Sequence, residues 1–445
     1  LASDSIHATH ERFHKLNFAV HCALLLRLVK GLFMSALADA RHFLEKTVHA
    51  DGGWAYSPGG LSQVEPTCFA LLALRCCNDS NAEMLERGRA ALRSWQALDG
   101  SYRVQSGHED AVWPTALALY TLLQFPDESE SVTKRAAAWL LAYQTLTLSE
   151  QETIGDVFDI DPTLKGWSWA DGTFAWAEPT AWAVLALQQA GQTDHPRVVE
   201  GRKLLLDRTF DTGGINVGNK RVFSRMTEPV PAASALLMLA FAGQPDHPRL
   251  AATRGFLTRT LESEIDLENL CWIHLARSAW GDVAHAGTLV ERIEAAYGRR
   301  KQCKLFADST LRDALTVMAL RAGFQPQAVR RLEVPEGPPA ISRRLSFGQR
   351  LQSAFRGMAV KALGHLRGVP AETRVHIARV SDYNGDLLRV LSQQYAHFRD
   401  KVPLKGKRVV LKPNLVEFHR GKVINTHPHV LAAAIELCRG EEASE

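Results

Sequence analysis

The chain repeats itself. A Gly-aromatic turn, a polar stretch and a Pro followed by an Ala/Leu-rich run recur as DGGWAYSPGGLSQVEPTCFALLAL from Asp51, DGSYRVQSGHEDAVWPTALALYTL from Asp99 and KGWSWADGTFAWAEPTAWAVLAL from Lys165. A weaker copy, TGGINVGNKRVFSRMTEPVPAASALLML, starts at Thr212. Trp54 and Tyr102, Pro66 and Pro114, and Trp167 and Ile215 each lie 48 residues apart. Tyr102 and Trp167 are 65 apart, which assigns an insertion of 17 residues to the polar stretch near Thr145 to Pro162. A period in this range builds a fold by stacking one unit, here two helices of about 12 to 15 residues with their loops.

Each first helix carries a Leu pair before the turn: Phe43-Leu44, Ala91-Leu92 and Trp139-Leu140, with Gln96 and Gln144 four residues later in two copies. The turn glycines permit positive φ where the chain reverses. The second helix is expected to begin at its Pro, which loses no hydrogen bond at the first helical position. Its body, as in Ala181 to Ala190, is almost wholly apolar and so is expected to be buried on most sides. Arg254–Leu261 with Leu267–Ala276, and Gly287–Ala296 with Ser309–Ala322, keep the rhythm without the turn signature. About six pairs, amphipathic outside and apolar inside, describe an α/α toroid.

The 445 residues allow two or three domains or one large ring. A net charge of +4 implies no nucleic-acid partner. Seven scattered cysteines without paired spacing point to reduced thiols and a cytoplasmic setting. Phe18 to Leu37 is apolar but interrupted by His21, Arg27 and Lys30, so it reads as a helix packed on the toroid rather than a span. An interfacial helix is the alternative, which keeps peripheral membrane contact open. Both ends read as those of a fragment, so an upstream targeting signal stays open.

These segments resemble the prenyltransferase and squalene oxidase repeat of squalene-hopene cyclases, oxidosqualene cyclases and protein prenyltransferase β subunits. The Phe-Leu…Gln…Asp-Gly-aromatic pattern is similar to the cyclases' QW motif, over roughly residues 38 to 325. The resemblance implies an isoprenoid-handling toroid of terpene cyclase-like (isomerase or lyase) or prenyltransferase-like activity. It also implies that class II cyclases protonate their substrate with a DxDD acid at the head of an inner helix. The aligned positions here are Glu65-Pro66-Thr67, Trp113-Pro114-Thr115 and Glu178-Pro179-Thr180, and no DxDD occurs; the nearest string is Asp159-Ile160-Asp161-Pro162.

Glu178 and Glu65 are therefore the candidate acids or cation stabilisers. The competing reading makes them helix-start residues facing orphan N–H groups, where the helix dipole favours ionisation. Trp113, Trp182, Trp169 and Phe174 crowd one end of the units and are candidates to line an isoprenoid cavity. Trp54 and Trp167 read as wedges between repeats. Arg225, with Lys220 and Arg221, is a candidate diphosphate contact; His108-Glu109-Asp110 shows no metal spacing. Cys271 and His274 are four-residue-turn neighbours that zinc would need Asp266 or Asp308 to complete, and they read as core. No metal and no cofactor is expected.

From Leu332 to Arg344 the text becomes a Pro-, Gly- and Arg-rich linker, followed by an amphipathic stretch to Leu366. Arg374–Val380 and Arg408–Lys412 read as strands, Gly385–Phe398 and the run from His427 to Leu437 as helices. VVLKPNLV at Val409 and NTHPHVLAAAIEL at Asn425 are similar to the opening of the domain-of-unknown-function 362 family. Lys412, Asn414, Thr426 and His427 sit at strand ends and a helix start, where α/β sites form. The expected division is a toroid over 1–330, a linker with an amphipathic helix over 331–370, and a truncated α/β domain over 371–445. The expected function is cyclisation or rearrangement of a polyprenyl substrate. The alternative is a non-catalytic lipid- or partner-binding toroid serving the C-terminal domain.

Overall fold

The computed structural model describes residues 35–77, 79–104, 113–147, 159–222, 225–284, 286–301, 308–321, 329–334, 376–380, 382–413 and 426–444. The molecule is mainly helical, with fourteen helices and one two-stranded hairpin among these residues. The outer helices are α1 (Ala36–Lys46), α3 (Ala82–Trp95), α5 (Glu130–Ala142), α7 (Pro196–Asp207), α9 (Pro248–Thr260) and α11 (Ala286–Lys301). The inner helices are α2 (Val64–Arg75), α4 (Pro114–Leu123), α6 (Ala177–Gln189), α8 (Pro231–Ala240), α10 (Leu267–Ala279) and α12 (Thr310–Leu320). Each inner helix packs on the next inner helix and, from α2 to α10, on the outer helix that follows it in the chain, while α12 packs back on α2 and α1. Five hairpins and the pairing of α12 with α1 thus close the ring.

Burial follows the sequence pattern. Every residue of α4 is buried, while α3 buries only Gly88, Arg89, Ala91 and Leu92. One hydroxyl per unit explains the recurrent Pro-Thr. The N–H of the turn aromatic donates to Thr67 Oγ1 from Trp54 (2.9 Å), to Thr115 Oγ1 from Tyr102 (2.8 Å) and to Thr180 Oγ1 from Trp167 (3.0 Å). In the fourth unit Ser234 Oγ takes the N–H of Ile215 at 2.9 Å. These bonds tie each turn to the helix it precedes and satisfy a buried donor. The expected wedges are also in place: indole Nε1 of Trp54 donates to the Leu44 carbonyl (2.8 Å), and that of Trp167 to Leu140 (3.0 Å).

Two turn glycines cannot be replaced freely. Gly52 and Gly100 have φ of +87° and +92°, and a Cβ on either would meet the backbone carbonyl of Arg87 or Arg135 on the following outer helix. Left-handed φ and close backbone approach both select glycine.

The helix starts differ from expectation in one respect. Pro114 and Pro231 open α4 and α8, but Pro66 and Pro179 lie third in α2 and α6. The first four N–H groups of a helix lack intrahelical acceptors, so Pro costs no bond there either. Glu65 and Glu178 consequently lie inside the first turn.

Residues 329–334 strap the end of the ring opposite these helix starts. Arg330 N–H donates to the Gln189 carbonyl, Leu332 N–H to Ala190, and the Arg330 guanidinium to the carbonyls of Phe125 and Glu128. Beyond the strap, α13 (Leu387–Ala396) and α14 (Pro428–Gly440) pack on each other. Among the described residues, 376–380 and 408–412 carry no ladder. A strand is stable only when paired, and neither segment meets a partner among the described residues. The linker region and Asn414 lie largely outside those residues, as do most of Phe18–Leu37 and all of His108-Glu109-Asp110.

Candidate functional site

Glu65, Glu178 and Glu268 each occupy the second position of an inner helix, α2, α6 and α10. Four residues on stand Phe69, Trp182 and Trp272. Residues i and i+4 share a helix face, so each of these alternate helices presents a carboxyl above an aromatic ring. The three aromatics meet. Ring centroids are 6.0 Å apart for Phe69–Trp182, 6.1 Å for Phe69–Trp272 and 6.1 Å for Trp182–Trp272, at interplanar angles of 88°, 88° and 69°. This is the edge-to-face arrangement that ring quadrupoles favour. Helices α2, α6 and α10 are not neighbours around the ring, so their side chains meet only across its axis. The aromatics fill the lumen at that depth, and the carboxyls surround the mouth above them.

Solvent access fits this placement. Glu178 is the one residue of α6 that is not buried, and in α2 only Glu65 and the terminal Arg75 escape burial. Protein rings both carboxyls on most sides nonetheless. Burial pushes the Glu178 carboxyl up to about 7, and the charges of Glu65 and Glu268 push in the same direction. Glu65 also rises to about 7 through burial, opposed by the hydrogen bond that the Tyr56 hydroxyl donates to it and reinforced by Glu268. Glu268 is the exposed member of the three; the protein around it and the charge of Asp266 still raise its carboxyl, against the pull of Arg312 on α12. The helix dipole, worth about 0.3–1 kcal/mol at an exposed helix end, favours ionisation of these acids. Desolvation and mutual repulsion outweigh it. Carboxyls whose ionisation is held back in this way can exchange protons and can steady a cation.

The sequence candidates divide. Glu65, Glu178 and Trp182 come together at the mouth and lumen. Trp113 joins them at the mouth, because Thr115 aligns with Thr67 and Trp113 thus takes in α4 the place of Glu65 in α2. Trp113 stacks edge-on with Trp169 at 5.3 Å. Phe174 lies elsewhere, half exposed and bridged to Leu146. Arg225 starts the second strand of the hairpin Arg221–Val222/Arg225–Met226, and its side chain lies outside the described residues; Lys220 beside it is buried.

Cys271 is fully buried, its thiol pushed up by desolvation, and His274 is buried with its imidazole pushed down. Asp266 caps α10 by accepting from the N–H groups of Glu268 and Asn269. No group of three metal-ligating side chains occurs among the described residues. Asp161 accepts from Thr163, a turn role. His427 caps α14 and stacks on Tyr383 with centroids 4.0 Å apart.

Glu268, Phe69, Trp272 and Tyr56 are site residues that the sequence reading missed. The available signal was Glu-x-x-x-aromatic at the head of three inner helices, read as EPTCF, EPTAW and ENLCW.

No described helix is long and apolar enough to cross a membrane. No family model and no curated protein matches the chain. Among solved structures, a protein from Actinoplanes is similar at 18% identity over 65% of this chain and 98% of its own, with a TM-score of 0.44. Salmonella alpha-2-macroglobulin reacted with methylamine is similar at 16% identity over 65% of this chain, with a TM-score of 0.39, and the chain spans 17% of that protein's length.

Proposed function

We propose that the ring is an isoprenoid-handling, terpene cyclase-like protein whose mouth receives an apolar chain, with Glu178 as proton donor and Glu65 and Glu268 as cation stabilisers. The observation that carries this reading is the set of three carboxyls above three aromatics on one axis. A carboxyl near pKa 7 keeps its proton on about half the molecules at neutral pH, the range in which a general acid works best. Such an acid protonates oxygen far more readily than an unactivated double bond, which favours an epoxide-bearing substrate over a plain alkene. The Glu178 proton would pass to the epoxide oxygen as the C–O bond breaks with its electron pair toward oxygen. The carbon cation would face aromatic rings and carboxylates while an internal alkene closes on it. Loss of a proton to a carboxylate would end the sequence.

The test is incubation with squalene, its epoxide and polyprenyl diphosphates, with products separated by mass. Cyclised product from the epoxide, lost in Glu178→Gln, is expected. No product from any of them, with the variant equally folded, refutes the activity.

A second reading, a binding ring without catalysis, is favoured by the contact of Phe69, Trp182 and Trp272, which leaves only the mouth for a guest. Saturable uptake of the unreacted epoxide by both proteins would support it.

A further inference from the structure

A second recess lies apart from the mouth. A cleft of about 210 Å³ opens between Leu146, residues 160–164 and the turn before α6. Leu146 and Ile160 near the two ends of the insertion, Leu164 just after it, and Phe174 and Trp176 of the turn form its walls; none of the mouth carboxyls or lumen aromatics lines it. Leu146 and Phe174 are 50% and 45% exposed and pair through a parallel bridge, with the Leu146 N–H donating to the Thr173 carbonyl at 3.1 Å. Two large apolar side chains are thus held side by side at the cleft edge by backbone bonds. The void exceeds the roughly 150 Å³ that admits benzene to an apolar cavity.

Charge decides what fits. The single ionic lining residue is Arg208, which is 5% exposed and ion-paired with Asp207. Its guanidinium also donates to the Asp161 carbonyl (3.1 Å), and Asp207 accepts the Asp161 N–H (3.0 Å). The pair neutralises itself and is spent on pinning the insertion. A charged guest would lose its hydration without gaining a free counter-ion, a far larger penalty than an uncharged one meets. We propose that this cleft binds an uncharged, medium-chain aliphatic molecule, independently of what occupies the ring's mouth.

The test is titration calorimetry of the full chain with 1-decanol below its aggregation limit, against decanoate and decylammonium. Saturable one-to-one binding of decanol with a negative heat-capacity change is expected, with both ions at least tenfold weaker. Leu146→Asp should weaken decanol at least tenfold, and Ala175→Phe, which fills the cleft, should abolish it. If Ala175→Phe fails to fold, Leu146→Asp at its half-exposed position carries the test alone. Non-saturable uptake, or decanoate binding as tightly as decanol, overturns the proposal. A signal that survives the cleft substitutions also overturns it, because the ligand then sits elsewhere; the reading of the mouth would stand unaffected.

Discussion

Above pH 7 Glu178 ionises in a mouth that already holds Glu65 and Glu268, and the fold bears the cost. Its carboxyl titrates near 7 in the native ring against an ordinary glutamate value of 4.5. Between those values the unfolded chain loses its proton first, so stability from this group is complete below about pH 4.5, falls as pH rises to about 7, and stays low beyond. Glu178→Gln should therefore match the parent protein at pH 4 and exceed it at pH 8 by on the order of 2 kcal/mol, discounted for the solvent Glu178 retains. Urea unfolding across that range measures it; equal stability at pH 8 would mean that the carboxyl is not held near 7. The sequence put Glu65 and Glu178 at a shared motif position, and the fold keeps them together. Glu268 escaped notice because ENLCW lacks the Pro-Thr that marks the other two. The crowded aromatics were harder to read. Closeness in a turn says which end of a unit a ring occupies, not which way it points, and of Trp169, Phe174, Trp176 and Trp182 only Trp182 reaches the axis.

The first four units are held by the same few devices, and these differ in cost. At Gly100 a Cβ would need both a left-handed φ and space occupied by the next outer helix, whereas Gly59, at φ +84°, has nothing within 4 Å of a new Cβ. Gly59→Ala should cost about 1 kcal/mol, the conformational penalty alone. Gly100→Ala should cost about 3 kcal/mol or more, because the backbone of α5 must also move. Equal losses in denaturant titration would show that the turn can shift away from α5 freely. The helices were readable because period 3.6 and near-total apolarity need no knowledge of neighbours. The C-terminal strand segments need more than composition. VVLKP has the composition of a strand, but a strand exists only through hydrogen bonds to another, and composition does not supply the partner.

Closure joins residues far apart in sequence. The Thr310 N–H donates to the Tyr56 carbonyl at 3.0 Å and its hydroxyl to Ala55 at 2.6 Å, fastening α12 to the first turn. Ending the chain at residue 301 removes α12 and strips cover from the buried faces of α2 and α10. The expected result is loss of the cooperative thermal transition and strong binding of a hydrophobic dye; a sharp transition within a few degrees of the parent's would mean that five hairpins suffice. The repeat made six pairs countable, yet their closure depends on the weakest copy, whose turn signature is absent.

The alternation of Glu over aromatic on every second inner helix also gives the six-part ring an approximate threefold axis through its mouth. A guest of the proposed kind seated there would meet three nearly equivalent orientations. Two features lift the degeneracy: the Tyr56 hydroxyl on Glu65, and Arg312 beside Glu268. Glu178 has neither. Direction within the mouth is therefore written in a tyrosine and an arginine, and a protein lacking both would hold its guest without telling one third of the ring from the next.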